Sequence, residues 1–193
     1  MLILVRHGQT EANRSGLLLG RSDVALTDLG RSQAAALCAA VHRTASVSSV
    51  IASPLSRARE TAACFHLPVE VDERWIEIDY GGYEGRPFAD VPASMWHEWR
   101  ADPDFVPDGG ESLAACGRRV QAACEELRAR AASSDVVVVT HVSPIKAGVG
   151  WAIGAGAEVV WRMHCDLASI TRIAVAGPNP VLHSYNEVSH LAH

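Results

Sequence analysis

Short runs of apolar residues recur along the chain and predict the strands of a sheet. The clearest is the unbroken run of four valines at Val136–Val139. Apolar runs without polar alternation are typical of strands covered on both faces, as in a parallel sheet between layers of helices. Similar runs predict strands at Leu2–Val5 and Ser49–Ala52, and the last part of the chain adds two more, at Ser169–Val175 and Val181–Tyr185.

Helical patterns lie between these strands, and each begins at residues that suit a helix start. Serine or threonine before such a stretch can accept a hydrogen bond from the first turn, and proline fits the first helical position. Strands that alternate with helices predict an α/β fold, a three-layer α/β/α sandwich with a mostly parallel sheet. We expect residues 1–193 to form one domain, because this length suits one core and is short for two. The predicted helix starts are Thr27, Ser53-Pro54, Ser112 and Ser143-Pro144.

The composition excludes several classes of function. The 17 basic and 22 acidic side chains give a net charge of −5, which disfavours sequence-independent binding to nucleic acid. No uncharged stretch is long and apolar enough to span a membrane. The five cysteines are odd in number and lack Cys-x-x-Cys spacing, so we expect buried thiols in the cytoplasm, neither disulfides nor metal ligands. The oligomeric state is left open between a monomer and a homodimer.

Basic side chains and histidines follow three of the predicted strands. The first strand ends at Arg6-His7, the second runs towards Arg57, and the valine strand ends at His141. Because the carboxyl ends of parallel strands line one crevice, we expect these side chains to meet there. Two predicted helix starts would point their N–H groups at the same crevice. This set of positive charges and donors favours a dianionic phosphate as the ligand.

The same residues resemble a known family, the histidine phosphatase superfamily, also called the phosphoglycerate mutase-like family. Its signature is matched by Leu4–Thr10, followed by Asn13. The resemblance is closest to the phosphatase branch that includes alpha-ribazole phosphatase-type enzymes. Further segments match in order along the chain: Leu26–Gly30, Ser53–Ala62, Asp72–Gly85, Gly109–Ser112 and Val139–His141.

This resemblance implies a site that needs no metal or cofactor, since protein side chains supply all the positive charge. A neutral His7 attacks phosphorus and carries a phosphohistidine intermediate. Glu77 first protonates the leaving oxygen and then activates water. Glu84 is the rival acid, but we interpret it as a turn contact. Charge on the phosphate oxygens is neutralised by Arg6, Arg57, a protonated His141 and the Asn13 amide.

The sequence also departs from the family pattern. Leu19 stands where many members have a glutamine that contacts phosphate, and Val142-Ser143 replaces the usual Gly-Gly after the second histidine. Residues 86–110 resemble the family's variable cap over the pocket. Trp96, Trp99 and Phe105 lie in this segment, either as anchors or in contact with substrate, whereas Trp161 is interpreted as core packing.

We expect a phosphomonoester hydrolase that acts on a small phosphorylated metabolite. One alternative is a phosphoglycerate mutase of the same fold, which the acidic cap segment disfavours because a bisphosphorylated cofactor carries negative charge. The other is a non-catalytic module that binds phosphate groups. Alpha-ribazole phosphate, phosphorylated sugars or glycerates, and phosphoamino acids all stay open as substrates.

Overall fold

A computed structural model describes residues 1–191 and contains one six-stranded sheet. The strands lie in the order β3-β2-β4-β1-β5-β6. The first four are parallel, while β5 runs antiparallel to β1, and β6 antiparallel to β5. The strands are β1 Leu2–Arg6, β2 Val47–Ala52, β3 Val69–Val71, β4 Asp135–Thr140, β5 Ile170–Ala174 and β6 Val181–Glu187.

Helices cover both faces of this sheet. Successive residues of a strand point to opposite faces, so Leu2 and Leu4 pack with the α5 and α6 side while Ile3 and Val5 pack with the α2 and α3 side. The predicted α/β/α sandwich with a mostly parallel sheet is confirmed. The helices are α1 Glu11–Arg14, α2 Asp28–Thr44, α3 Ser56–Ala63, α4 Ala93–Ala101, α5 Leu113–Ser133 and α6 Val142–Ile153, with 3-10 turns at Glu73–Trp75, Gly81–Tyr83, Phe88–Asp90 and Ala157–Arg162.

Two of the four predicted helix starts are correct. Thr27 and Ser112 accept hydrogen bonds from the first turns of α2 and α5. The Ser-Pro interpretation is wrong for α3, which begins at Ser56, and for α6, which begins at Val142. Both of these helices are capped by carboxylates from distant parts of the chain, which no local pattern reveals. The sequence did not predict α1, β3 or α4.

The prediction that no cysteine forms a disulfide is wrong for one pair. Cys38 on α2 and Cys64, directly after α3, are joined, with their Cα atoms 6.1 Å apart. They are 26 residues apart in sequence, and only the packing of the two helices brings them together. Cys116, Cys124 and Cys165 are buried free thiols, as expected. Because the cytoplasmic assignment rested on reduced cysteines, it stays a prediction.

Within residues 1–191, no helix combines the length and the apolar character needed to cross a bilayer.

The loop after β1 is held against the start of α2 by backbone contacts. Gln9 N–H donates to the side chain of Gln33 at 2.9 Å, and Thr27 N–H donates to the Gln9 carbonyl at 2.9 Å. A Cβ atom at Gly30 would overlap the carbonyl oxygen of Gln9, and one at Gly8 would overlap the carbonyl oxygen of Gly30. Only glycine permits this approach, which fixes the backbone that follows His7.

This approach makes Gly30→Ala destabilising. Overlap with a backbone oxygen cannot be relieved by side-chain rotation, so we expect the free energy of unfolding to fall by about 1–3 kcal/mol. Gly117→Ala is the matched control, because Gly117 lies inside α5 with no atom near its added Cβ. There the free energy of unfolding should rise by about 0.5–1 kcal/mol. Urea denaturation of both variants measures the difference, and equal shifts would contradict the close approach.

Candidate active site

The residues predicted from the strand ends do meet at one edge of the sheet. Arg6 is the last residue of β1 and pairs with Thr140, the last residue of β4. His7 N–H donates to the Thr140 carbonyl at 3.0 Å, and Ser53 N–H donates to the Val139 carbonyl at 3.0 Å. The backbone pairing therefore continues beyond the strands and fixes where the following side chains begin.

His7 is buried and has a defined tautomer. Its Nδ1 lies 2.7 Å from the carbonyl oxygen of Gly8. A carbonyl can only accept, so Nδ1 carries the proton and Nε2 keeps its lone pair. Burial, together with the positive charges of Arg57 and Arg6, holds the pKa of His7 well below its usual 6.5. The imidazole is therefore neutral at neutral pH, as a nucleophile must be.

Around His7, three buried nitrogen atoms have no hydrogen-bond partner within residues 1–191. They are Nε of Arg6, Nε of Arg57 and Nδ1 of His141. Buried donors without partners each cost about 1–3 kcal/mol, so three of them in one cluster favour a ligand that accepts from all three. The other nitrogens of Arg57 donate to the carbonyls of Ser22 at 2.8 Å and Gly20 at 2.6 Å, which fixes the guanidinium in place.

The positive charge of this cluster is not cancelled by ion pairs. None of the ion pairs formed within residues 1–191 includes Arg6, Arg57 or Lys146. Arg57 is fully buried, and Lys146 is partly buried on α6. Buried cations without a carboxylate partner favour an anionic ligand.

His141 differs from its predicted state. The interpretation as a protonated histidine is wrong for the free protein, because burial and the charge of Arg57 hold its pKa well below 6.5. Its Nε2 lies 2.7 Å from the hydroxyl oxygen of Ser53, and its ring centroid lies 5.1 Å from that of His7. A Ser53 hydroxyl that donates to Nε2 leaves Nδ1–H as a donor. A neutral His141 can therefore still donate one hydrogen bond.

The Glu77 side chain is buried, and its carboxylate contacts the first turn of α6. Its Oε1 accepts from Ile78 N–H at 2.8 Å and Ser143 N–H at 3.1 Å, and its Oε2 accepts from Val142 N–H at 3.1 Å. The first turn of α6 therefore binds this carboxylate, and the predicted role of its N–H groups as phosphate donors is wrong. The start of α3 is likewise occupied, because Ser56 N–H donates to Asp23 at 2.7 Å.

Glu84 holds the loop that orients Arg57. Its Oε1 accepts from Gly20 N–H and Ser22 N–H, both at 2.9 Å, and the carbonyls of the same two residues bind Arg57. Glu84 is not among the residues that line the cavity, whereas Glu77 is. This geometry supports the interpretation of Glu84 as a structural contact.

A cavity of about 950 Å³ opens above the cluster. Arg6, His7, Asn13 and Glu77 line it, while Arg57 and His141 are fully buried. The Asn13 side-chain oxygen accepts from Thr10 N–H at 3.0 Å. Among the lining residues that the sequence did not predict are Tyr80, Lys146 and Trp161. The packing of Trp161 against the core is confirmed, and the 3-10 turn Ala157–Arg162 also brings this side chain to the cavity.

Comparisons with known proteins agree with this geometry. The family model of the histidine phosphatase superfamily (branch 1) matches residues 2–188, so the chain belongs to that superfamily. The resemblance drawn from the sequence motifs is confirmed.

Three relatives illustrate the family. Bifunctional protein Rv2228c of Mycobacterium tuberculosis is 35% identical over 177 residues, which cover 88% of this chain but 49% of that protein, so the chain spans about half of its length. Adenosylcobalamin/alpha-ribazole phosphatase of Escherichia coli is 31% identical to this chain, and the match covers 85% of that protein and 86% of this chain. A crystal structure of a phosphoserine phosphatase mutant from Entamoeba histolytica in complex with phosphoserine has a TM-score of 0.90 and 26% identity, over 99% of this chain and 98% of that chain.

The depressed pKa values of His7 and His141 can be tested in the free protein. At pH 6.5 most molecules should have both rings neutral, and protonation should appear only at more acidic pH. Nitrogen-15 NMR of the imidazoles from about pH 5 to about pH 8 measures this, with His7→Asn and His141→Asn used for assignment. A titration of either ring at or above pH 6.5 would contradict the burial and charge argument.

Proposed function

We propose that this member of the histidine phosphatase superfamily hydrolyses small phosphomonoesters, with His7 as the nucleophile. The observation that carries the proposal is the set of three buried, unpartnered donors around a neutral histidine with a free Nε2. A phosphoryl group bound there would accept from Arg6, Arg57 and His141 through its oxygens. These fixed donors stabilise the charge on the phosphoryl oxygens in the transition state.

The first chemical step transfers the phosphoryl group to the protein. Nε2 of His7 forms a bond to phosphorus while the ester bond breaks on the opposite side. The departing oxygen takes a proton from Glu77, which lines the same cavity. The imidazole gains positive charge as the N–P bond forms, and the Gly8 carbonyl stabilises that charge through Nδ1–H.

The second step returns the histidine to its starting state. Glu77, now a carboxylate, takes a proton from water, and the water oxygen attacks phosphorus as the N–P bond breaks. Inorganic phosphate is then released. The three N–H donors that bind Glu77 keep its oxygens in one place throughout both steps. The amide of Asn13 is proposed as a further phosphate donor, since its oxygen is held by Thr10.

A mutase would need to bind a second acidic group of its substrate and shield the phosphohistidine from water. Lys146 is the one lysine of the chain and lines the cavity, so it could serve an acidic group. The remaining walls are mainly apolar, and Asp166 adds a negative charge. Hydrolysis is therefore favoured.

We also propose that the chain forms one domain, with residues 86–110 as a cap over the pocket. A cytoplasmic location and a homodimer stay untested predictions.

Loss of the nucleophile should abolish release of phosphate from an aryl phosphate. His7→Ala removes the only proposed acceptor of the phosphoryl group, so no phosphohistidine forms. Treatment with EDTA should leave the wild-type rate unchanged, because arginine and histidine supply the charge. Activity that survives in His7→Ala, or that disappears with EDTA, would contradict the mechanism. Binding of phosphate esters without release over hours would favour the non-catalytic alternative.

The acid role of Glu77 depends on the leaving group. For a primary alkyl phosphate, Glu77→Gln should slow phosphohistidine formation by about 10²–10⁴-fold, the usual contribution of a general acid. For nitrophenyl phosphate the loss should be much smaller, since nitrophenolate leaves without a proton. Single-turnover rates of phosphoenzyme formation with both esters measure the difference.

Glu84→Gln is the matched control for this experiment. It disturbs the loop that orients Arg57, so it should slow phosphohistidine formation from both esters by similar factors. Equal losses for both esters in Glu77→Gln would remove Glu77 from the acid role.

A further inference from the structure

Four aromatic rings form one wall of the cavity above His7. Phe88 belongs to the 3-10 turn Phe88–Asp90, Trp96 and Trp99 to α4, and Trp161 to the 3-10 turn Ala157–Arg162. Trp96 and Trp99 are three residues apart, so they share one face of their helix. None of these rings comes from an element that holds the phosphate donors.

The rings are ordered by contacts with one another. Trp96 lies nearly parallel to Phe88 and Trp99, with interplanar angles of 14° and 15° and centroid distances of 6.3 and 6.0 Å. Trp161 meets Trp96 and Trp99 at steep angles, with centroids 6.2 and 6.3 Å away. The guanidinium of Arg100 lies 5.0 Å from the centre of Trp161. These contacts fix the orientation of the four rings relative to one another.

This wall leaves aromatic surface in contact with solvent. Phe88 is 54% exposed, and Trp96 and Trp161 are half-buried, whereas Trp99 is 2% exposed and anchors the group. Exposed apolar surface of this kind is unfavourable by about 25 cal/mol per Å² until something covers it. A concentration of such surface in a concave site is typical of a ligand pocket.

The size of the cavity bears on what covers the wall. Its volume of about 950 Å³ lies near the upper end of the usual range for small-molecule sites. A phosphoamino acid or a phosphoglycerate bound at His7 would fill a small part of it and leave the rings in water. A sugar would cover less of the wall with flat apolar surface than an aromatic ring system would.

We propose that the preferred substrates are phosphomonoesters whose organic part carries a flat aromatic ring system, which packs against the wall formed by Phe88, Trp96, Trp99 and Trp161. This inference rests on the proposed hydrolysis and narrows its substrate class. Ring contacts of this kind strengthen binding by about two- to tenfold beyond the effect of the area they bury. The wall selects the organic part, while the residues at the strand ends act on the phosphoryl group.

The test compares four primary alkyl phosphates, so that every leaving group needs the same help from the acid. They are 2-(1-naphthyl)ethyl phosphate, 2-cyclohexylethyl phosphate, ethyl phosphate and phosphoserine. In the wild type, kcat/KM should be highest for the naphthyl ester, by about tenfold or more over ethyl phosphate and phosphoserine. The cyclohexyl ester should fall between them, because it is apolar but not flat.

Trp96→Leu is the main variant, because Trp96 is half-buried and its loss should not prevent folding. It should lower kcat/KM for the naphthyl ester by about tenfold, while kcat/KM for ethyl phosphate should stay within about twofold of the wild-type value. Trp151→Leu is the matched control, since Trp151 is also half-buried but does not line this cavity. It should change none of the four esters by more than about twofold.

Several outcomes would overturn the proposal. In the wild type, kcat/KM for phosphoserine, ethyl phosphate or the cyclohexyl ester could equal kcat/KM for the naphthyl ester. Trp96→Leu could also slow all four esters alike, which would assign Trp96 a structural role.

Binding separates a failure of this proposal from a failure of the proposed hydrolysis. The probe is 3-(1-naphthyl)propylphosphonate, which cannot be hydrolysed, and its binding is followed by calorimetry. Binding that is weakened about tenfold in Trp96→Leu but not in Trp151→Leu would support the aromatic site even if no ester were hydrolysed. No binding to the wild type would overturn it.

Discussion

The site depends on positive charge that the fold buries without cancelling. Arg57 is fully buried, Arg6 is partly so, and neither forms an ion pair with a carboxylate within residues 1–191. Such an arrangement is unfavourable in the free protein, so the surrounding backbone has to enforce it. Burial of the ring is the largest cause of the low pKa of His7, and the charges of Arg57 and Arg6 lower this pKa further, so His7 stays neutral. One constraint therefore prepares both the anion site and the nucleophile.

The carboxylates near this cluster are engaged elsewhere, which is why the charge stays available. Glu77 accepts from the first turn of α6, Glu84 from the loop at residues 20–22, and Asp23 from the start of α3. Their charge is near enough to act on Arg57, yet each of them has an oxygen that accepts from backbone N–H groups. Carbonyl groups instead hold the terminal nitrogens of Arg57. Neutral acceptors fix its position without cancelling its charge.

The features that the sequence predicts correctly depend on neighbours in the chain. The valine run at Val136–Val139 and the caps at Thr27 and Ser112 are local patterns, and all three are found in the structure. The strand ends were predicted because parallel strands share one direction. Apart from the elements that were not predicted, the errors and omissions concern contacts between distant segments: the carboxylates that cap α3 and α6, the disulfide and the contact of Trp161 with the cavity. None of these contacts leaves a periodic signal in the sequence.

The effect of the departures from the family pattern, Leu19 and Val142-Ser143, depends on whether the site uses backbone or side-chain atoms at these positions. At Val142 and Ser143 the described contacts to Glu77 are made by backbone N–H groups, which every residue except proline provides. Replacing Gly-Gly there keeps both donors and adds two side chains, which line the cavity. Leu19 likewise lines the cavity where a glutamine would have offered a polar group. Leu19 and Val142 therefore make the walls less polar than the family pattern would, while Ser143 adds a hydroxyl, and the side chains of Val142 and Ser143 reduce the space within the cavity. They leave the buried donors around His7 in place. Apart from the phosphate contact that Leu19 does not make, the departures therefore act on the part of the substrate that lies beyond the phosphoryl group.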